Sequence, residues 1–253
     1  MTIIDLKDKT ILLTGASDGI GRAVADYLME MGAKVAVHYN SNKSAADALV
    51  AKHHNGSKVF QADVSKEKEV LGLFDAVVAH FGRLDVIVLN AGVFLEQPMH
   101  LNTADWLNIW KKTMAVNLDA VGILTKLGLD HFLEQGEGRF VYLGSRAVFR
   151  GETQEFLAYA ASKGGITSLA RSVARSFGKQ NIKAFVVAPG FTRTRMAEKF
   201  IASHGEEKVL NEIALNELTR PEDLAPLIAL LCSGGMDHAT GTTIDMNAGS
   251  HIR

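Results

Sequence analysis

The stretch Lys9-Thr-Ile-Leu-Leu-Thr-Gly-Ala-Ser-Asp-Gly-Ile-Gly21 decides the fold, because a short apolar run leads directly into a glycine-rich turn. The apolar run predicts a buried strand within residues 9–14, and the glycines after it predict a turn. Beyond the turn, apolar residues recur every three or four positions as far as Met31, which predicts an amphipathic helix that ends at Gly32. This order of strand, turn and helix is typical of the first unit of a parallel α/β sheet.

The rest of the chain repeats the alternation of strands and helices. Further strands are predicted at residues 33–39, 58–62, 84–89, 140–143, 183–187 and 241–246, and further helices at 41–54, 66–81, 103–134 with an interruption, and 159–178. A last helix, to about Leu231, is predicted to begin at a capping box in Thr219-Arg-Pro-Glu222. Apolar strands joined by helices at this spacing predict an α/β fold, a doubly wound parallel β-sheet with helices on both faces. We expect one domain over residues 1–253, with a substrate-cover segment at 191–217.

The composition narrows the class of partner. The 27 basic and 28 acidic residues give a net charge of −1, which offers no basic footprint for nucleic acid or for an anionic membrane. No apolar run approaches the ~18 residues that a membrane span requires. Cys232 is the single cysteine, which excludes an internal disulfide and a multi-cysteine zinc site and is compatible with a reducing compartment. We therefore expect a cytoplasmic protein with a small-molecule partner and no metal site, whose histidines, such as His53, are solvated.

The glycine-rich turn has the properties of a pyrophosphate site. Gly15, Gly19 and Gly21 let the backbone approach a phosphate closely, and the helix that follows offers unpaired N–H groups at its N-terminus. The spacing is Gly-x-x-x-Gly-x-Gly, which differs from the Gly-x-Gly-x-x-Gly dinucleotide fingerprint. Because the turn follows a strand and opens a helix, it still predicts a dinucleotide site.

Tyr159 and Lys163 stand four residues apart on a predicted helix, so their side chains share one face. A lysine cation at this separation favours the phenolate and lowers a tyrosine pKa that is ordinarily about 10. Such a tyrosine could transfer protons near neutral pH. Taken alone, the spacing more often marks an amphipathic surface pair, so the other motifs decide between the two interpretations.

Six motifs occur along the chain: Thr14 to Gly21, Asn90-Ala-Gly92, Asn117, Ser145, Tyr159-x-x-x-Lys163, and Pro189-Gly190 with Thr192. In this order and spacing they resemble the short-chain dehydrogenase/reductase family, in its branch of enzymes of about this length, from about Lys9 to Gly249. The resemblance implies a Rossmann-like fold and an oxidoreductase that interconverts a ketone and a secondary alcohol by hydride transfer. It also implies a homo-oligomer, for which we expect a tetramer.

The resemblance assigns roles to individual residues. Tyr159 would be the general acid/base, and Lys163 would lower its pKa and hold the nicotinamide ribose. Ser145 would hydrogen-bond the substrate oxygen, and Asn117 would hold a water that links Lys163 to solvent. The residues expected to bind the dinucleotide are Gly15, Ser17, Asp18, Gly19, Ile20, Gly21, Asn40, Ser41, Asp63, Val64, Asn90, Gly92, Tyr159, Lys163, Pro189, Gly190 and Thr192.

The identity of the dinucleotide depends on the end of the second strand. An NAD site of this type places an acid about 20 residues past the glycines to bind the ribose 2′-OH, and none lies between Glu30 and Asp47. The polar and basic stretch at residues 38–43 suits a 2′-phosphate instead. Asp18 argues against this choice, since many NADP-using relatives carry a basic residue in the turn. NADP(H) is therefore favoured, and NAD(H) stays possible.

The sequence constrains the substrate least. Aromatic and apolar side chains expected near the nicotinamide indicate a partly apolar carbonyl or alcohol, unless they belong to the core: Phe94, Trp106, Phe149, Phe156, Phe191, Met196 and Phe200. Arg146 and Arg150 could meet an anionic substrate, but we favour the interpretation that they point to solvent or to a subunit contact.

Two classes of function remain open. The resemblance favours a broad reductase of the 3-oxoacyl-carrier-protein type or of the sugar, steroid or small-ketone type, without choosing among them. The alternative is a non-catalytic dinucleotide-sensing or scaffolding protein on the same fold, because a fold does not determine function. The complete set of Asn117, Ser145, Tyr159 and Lys163 favours the enzyme.

Overall fold

The computed structural model describes residues 4–252, except for the side chains of Met196, Lys199, Phe200, Ser203 and His204. Within this range seven strands form one sheet: β1 Thr10–Leu13, β2 Lys34–Tyr39, β3 Lys58–Gln61, β4 Val86–Leu89, β5 Gly138–Leu143, β6 Ile182–Pro189 and β7 Thr243–Met246. The helices are α1 Gly19–Glu30, α2 Lys43–His53, α3 Glu67–Phe81, α4 Thr103–Met114, α5 Ala120–Gln135, α6 Ala147–Arg150, α7 Leu157–Phe177, α8 Arg195–His204, α9 Glu206–Leu210 and α10 Pro221–Ser233.

The strands lie in the order β3-β2-β1-β4-β5-β6-β7, and every neighbouring pair is parallel. All the strands therefore end at the same edge of the sheet. The order reverses between β1 and β4, and the crevice outside the carboxyl ends at such a reversal is where open α/β sheets bind ligands. The structure confirms the predicted doubly wound parallel sheet.

Alternate residues of β1 show how the two faces of the sheet are covered. Ile11 and Leu13 belong to a buried cluster that also contains Leu28 of α1 and Ile228 of α10. Leu12 points to the opposite face, into a second cluster with residues of α3, α5 and α7. The central strands β1 and β4 are buried on both sides, which is why they read as continuous apolar runs.

The predicted helical segment at 103–134 consists of α4 and α5, joined by a π-helical turn at Ala115–Asp119. Such a turn places one extra residue in the helix and is frequent at functional sites. Residues 191–217, predicted as a cover, contain α8 and α9. Among the helices of the described residues, none is long and apolar enough to cross a membrane.

Three details of the sequence interpretation are wrong. The helix α10 is capped one residue later than predicted, since the Asp223 carboxylate accepts a hydrogen bond of 2.7 Å from the N–H of Arg220. Strand β6 runs to Pro189, two residues beyond the predicted end at 187, and the carbonyl oxygen of Pro189 accepts a 3.1 Å hydrogen bond from the N–H of Arg146. His53 is not solvated: its side chain is 8% exposed, and Nε2 lies 2.5 Å from Oδ1 of Asp26 on α1.

Gly122 and Gly128 of α5 provide a test of this packing. A Cβ on Gly128 would lie 2.5 Å from Cδ1 of Ile87 and 2.8 Å from the ring of Phe140, whereas a Cβ on Gly122 would meet nothing within 4 Å. We expect Gly128→Ala to lower the free energy of unfolding by ~1–3 kcal/mol through overpacking. Gly122→Ala should raise it by ~0.5–1 kcal/mol, because alanine loses less chain entropy in a helix. Urea denaturation measures both, and equal stabilities would show that α5 does not pack this closely on the sheet.

Candidate functional site

A cavity of about 510 Å³ opens at the carboxyl edge of the sheet. It brings together every residue that the sequence assigned to the cofactor or to the reacting groups, with the exception of Asn117. The predicted residues that line it are Gly15, Ser17, Asp18, Gly19, Ile20, Gly21, Asn40, Ser41, Asp63, Val64, Asn90, Gly92, Ser145, Tyr159, Lys163, Pro189, Gly190 and Thr192. A wider hollow of about 660 Å³ between β3 and α3 shares Asn40 and Asp63 with it but contains none of the predicted reacting groups.

The glycine turn is clamped to the end of β4. The amide of Asn90 donates from Nδ2 to the carbonyl oxygens of Thr14 and Gly15, at 2.9 and 3.1 Å. The Thr14 hydroxyl accepts from the N–H groups of Asn90 and Ala91, each at 3.0 Å. A Cβ on Gly21 would lie 2.1 Å from the Gly15 carbonyl oxygen, so only glycine fits there. The glycines therefore let the backbone of the turn approach the cavity, which Ser17, Asp18 and Ile20 also line.

His38 of β2 holds the same turn from the other side, a role that the sequence interpretation missed. Its Nδ1 accepts a 2.9 Å hydrogen bond from the N–H of Gly15, and its Nε2 lies 3.0 Å from the carbonyl oxygen of Ala62. Burial lowers the pKa of His38, which favours the neutral ring that this pairing needs. The only signal in the sequence is a polar residue inside the otherwise apolar β2.

The basic group near the glycine turn comes from the cover segment. Lys43, which made the stretch 38–43 attractive for a 2′-phosphate, instead pairs with Asp47 on the surface at 2.6 Å. Arg195, at the start of α8, lines the cavity and pairs with Asp18 at 2.7 Å. The negative charge of Asp18 is therefore partly compensated by a residue almost 180 positions away.

Lys163 reaches the carboxyl end of β5. Its Nζ donates a 2.7 Å hydrogen bond to the carbonyl oxygen of Leu143 and lies 5.8 Å from the ring centre of Tyr159. The lysine side chain is buried, and burial lowers its pKa to about 8. A lysine that titrates there can give or take a proton close to neutral pH.

The pKa of Tyr159 is shifted opposite to the expectation. Burial raises it, while a hydrogen bond with Ser145 and the positive charge of Arg146 oppose this shift. The expectation that Lys163 lowers the tyrosine pKa is wrong for the protein alone, since the lysine proton is directed to a backbone carbonyl. Tyr159 is therefore a neutral phenol at neutral pH, hydrogen-bonded to Ser145.

Asn117 lies behind the cavity wall, inside the π-helical turn. Its Oδ1 accepts from the N–H of Val93 at 2.8 Å, and its Nδ2 donates to the Val93 carbonyl at 3.0 Å and to Ser162 Oγ at 3.1 Å. The side chain is fully buried, so it is not a helix-surface residue. It fixes the backbone that follows β4 against α7.

Aromatic side chains form one wall beside Tyr159. The ring of Phe94 stacks on Phe156 at 3.9 Å and meets Tyr159 edge-on at 4.7 Å. Phe94 and Phe191 line the cavity, as predicted. Two other members of the predicted aromatic set lie elsewhere, since Trp106 stacks on Trp110 and Phe149 on His251. The side chains of Met196 and Phe200 are outside the described part of the chain.

Arg146 contradicts the interpretation that it points to solvent. Its side chain is 8% exposed, and the residue lines the cavity next to Ser145. Its Nη2 donates to Oε2 of Glu212 at 3.2 Å, and the Nη1 of Arg150, an exposed residue, donates to the same oxygen at 2.8 Å.

Comparison with known proteins gives concordant results. A family model described as enoyl-(acyl carrier protein) reductase matches residues 15–251. Over 249 residues the chain is 31% identical to 3beta-hydroxysteroid dehydrogenase 1 of Eggerthella lenta, a match that covers 97% of this chain and 94% of the relative. Over 248 residues it is 32% identical to the 3-oxoacyl-(acyl-carrier-protein) reductase FabG of Staphylococcus aureus, covering 96% and 98%.

A solved structure agrees with these matches. The crystal structure of a short chain dehydrogenase from Burkholderia cenocepacia in complex with NADP resembles the fold with a TM-score of 0.88 at 31% identity, covering 98% of this chain and 99% of that one. The family model and the relatives span nearly the whole chain, and the sheet has the expected parallel topology. The protein therefore belongs to the short-chain dehydrogenase/reductase family of oxidoreductases.

Proposed function

We propose that the protein interconverts a ketone and a secondary alcohol, with NADP(H) as the hydride carrier and Tyr159 as the general acid/base. One observation carries this proposal: the Ser145–Tyr159 pair and the glycine turn open into the same cavity. The names of the relatives support the reaction class, since one is a hydroxysteroid dehydrogenase and another a 3-oxoacyl reductase. A 3-oxoacyl thioester is therefore a candidate substrate.

The cavity fits a nicotinamide dinucleotide. The glycines of the turn bring its backbone close to the cavity, and the N-terminus of the twelve-residue α1 opens beside it, as a pyrophosphate requires. Asp63 and Val64 would hold the adenine end, while Asn90, Gly92, Gly190 and Thr192 would line the remainder. When bound, the dinucleotide supplies the hydride for reduction and accepts it in oxidation.

Tyr159 and Ser145 would act on the substrate oxygen. In reduction, the neutral Tyr159 phenol donates its proton to the oxygen of the carbonyl, and in oxidation the phenolate takes it back. The Ser145 hydroxyl stabilises the charge that develops on the same oxygen. The raised pKa of Tyr159 keeps the acid form available in the free protein at neutral pH.

Lys163 and Asn117 would support proton transfer. Lys163 can replace the proton that Tyr159 gives up, because burial brings its pKa to about 8. A Cβ on Gly92 would lie 3.4 Å from Oδ1 of Asn117 and 3.6 Å from Nζ of Lys163, so the two polar groups flank the same backbone segment. We place the ribose contact at Lys163 and the water-holding role at Asn117.

The choice of NADP(H) rests on the 2′ end of the cavity. Asn40 and Ser41 line it where an NAD site would carry an acid, and Arg195 reduces the repulsion that Asp18 would exert on a phosphate. The Burkholderia cenocepacia structure holds NADP, which supports the same choice.

We further propose that the protein is a cytoplasmic homotetramer. Large apolar side chains are exposed on α4, α5 and α7, namely Leu107, Leu133 and Leu157 at 39, 43 and 41%. Burial of these residues between subunits would remove them from water. The free thiol of Cys232 suits a reducing compartment.

Tyr159→Phe tests the proposed acid. We expect turnover of carbonyl and alcohol substrates with NADPH and NADP to fall by ~10²–10⁴-fold, because the proton donor is lost. NADPH fluorescence should still report cofactor binding, and Tyr27→Phe on α1 should behave as wild type. Equal turnover by Tyr159→Phe and wild type would remove Tyr159 from the reaction. Cofactor binding without any turnover in wild type would favour the non-catalytic, dinucleotide-sensing alternative.

The cofactor preference is tested with the wild-type protein. We expect a lower KM for NADPH than for NADH in carbonyl reduction, since Asn40 and Ser41 stand where an NAD site carries an acid and Asp18 is paired with Arg195. Initial rates at saturating carbonyl measure both constants. A lower KM for NADH would contradict the assignment.

Lys163→Met tests the burial of the lysine cation. The pKa of Lys163 is lowered from 10.5 to about 8 in the folded protein. Below pH 8 both states hold the proton and the folded state bears the cost of burying it, whereas between pH 8 and 10.5 only the unfolded state holds it. Wild-type stability relative to Lys163→Met should therefore rise across this window, by up to about 3 kcal/mol. Urea denaturation at several pH values measures it, with the exposed Lys179→Met as control. A constant difference would show that folding does not lower the pKa of Lys163.

A further inference from the structure

We propose that Arg146 and Arg150 form a carboxylate subsite, in which the side chain of Glu212 occupies the place that a carboxylate of the substrate takes. The inference rests on the proposed function and assigns it a ketone or secondary alcohol that bears a carboxylate as substrate, in place of a 3-oxoacyl thioester. The subsite adjoins the proposed reacting groups, since Arg146 directly follows Ser145 in the cavity wall.

The backbone of Arg146 is held rigidly. Its N–H donates to the carbonyl oxygen of Pro189 at 3.1 Å, and its own carbonyl accepts from the N–H groups of Phe149 and Arg150, both at 3.0 Å. The end of β6 and the short helix α6 therefore fix the residue from two sides. A charged side chain held in this way is suited to orient a substrate.

The guanidinium of Arg146 has unused hydrogen-bonding capacity. Its Nη1 is buried and has no hydrogen-bond partner among the residues that the structure describes. Its Nη2 makes a single contact of 3.2 Å to Glu212. A guanidinium is a planar fork of five N–H donors that matches a carboxylate in bidentate geometry. A buried guanidinium in a cavity wall, with N–H donors that lack partners among the described residues, therefore favours an anionic oxygen ligand.

The position of Glu212 shows that the two arginines accept a carboxylate. Its Oε2 receives hydrogen bonds from both Arg146 and Arg150, at 3.2 and 2.8 Å. The Glu212 side chain is 42% exposed and lies just after α9, in the predicted cover segment. Because the Glu212 side chain is partly exposed, its carboxylate can be rehydrated when it leaves, whereas the buried guanidinium of Arg146 then requires another anion. A substrate carboxylate can then take both contacts.

The charge balance supports an exchange of one carboxylate for another. Glu152 also lines the cavity, and its carboxylate accepts a hydrogen bond from the N–H of Thr153. With Glu152 and Glu212 in place, the two arginine charges are matched. Departure of Glu212 leaves one positive charge uncompensated at the cavity wall, and a substrate carboxylate restores the balance. A cationic or neutral substrate would leave this positive charge uncompensated.

Matched substrate pairs test the proposal. Each pair differs only in a carboxylate replaced by a hydroxymethyl group: acetoacetate and 4-hydroxy-2-butanone, 3-hydroxybutyrate and 1,3-butanediol, D-gluconate and D-glucitol. We expect kcat/KM to favour the carboxylate in at least one pair, by about 10- to 100-fold for a charge-assisted contact. Arg146→Met should abolish this preference mainly through KM, and Arg146→Lys, which keeps the charge without the fork, should reduce it. The exposed Arg171→Met of α7 is the control and should retain it.

Glu212→Gln should tighten carboxylate binding, because the internal competitor loses its charge. Calorimetric titration of the same carboxylates into NADP-loaded Tyr159→Phe protein measures binding without turnover, and circular dichroism confirms that each variant folds. The proposal is overturned if no pair favours the carboxylate, if Arg146→Met leaves the preference unchanged, or if Glu212→Gln weakens carboxylate binding. Failure of the proposed function is distinguishable, since full turnover by Tyr159→Phe would reject the acid while the calorimetric preference still reports the subsite.

Discussion

The hydrogen bond from Lys163 Nζ to the Leu143 carbonyl oxygen is the contact on which the geometry of the site depends. It joins α7 to the last residue of β5, at the point where the strand turns toward Ser145. Helix α7 carries Tyr159 one turn earlier, so this bond sets how far the phenol reaches over the strand end. The cost of holding a cation among buried groups is visible in the lowered pKa of Lys163.

At the other end of the cavity, uncharged side chains hold the glycine turn in place. Asn90 and His38 hold the backbone of the glycine turn by hydrogen bonds, and the Thr14 hydroxyl accepts from the N–H groups that follow β4. Because β1 and β4 are neighbours in the sheet, the clamp lies at the reversal of strand order. The glycine turn forms the proposed pyrophosphate site, whereas the other end of the cavity carries the titratable groups Tyr159 and Lys163.

The architecture was predictable because the strands are short apolar runs bounded by turns, and parallel strands must end at one edge. The predicted residues at those ends consequently meet in one cavity, although their positions range from Gly15 to Thr192. The burial of Arg146, the pairing of Asp18 with Arg195 and the role of His38 were not predictable. Each of these features depends on contacts between segments that are far apart in the chain. Polar and charged residue types are usually exposed, so their identity in the sequence does not indicate such contacts. The predicted direction of the Tyr159 pKa shift was wrong for a related reason, because helical spacing indicates a neighbouring charge but does not indicate burial.

The central claim is that the glycine turn and the Ser145–Tyr159 pair belong to one site that holds a dinucleotide and a substrate oxygen together. A crystal structure of the protein with NADP tests it most directly. We predict that the pyrophosphate lies against the glycine turn, with the nicotinamide end of the molecule at Tyr159 and Lys163. Density for the cofactor outside this cavity, or a nicotinamide end remote from Tyr159, would contradict the account.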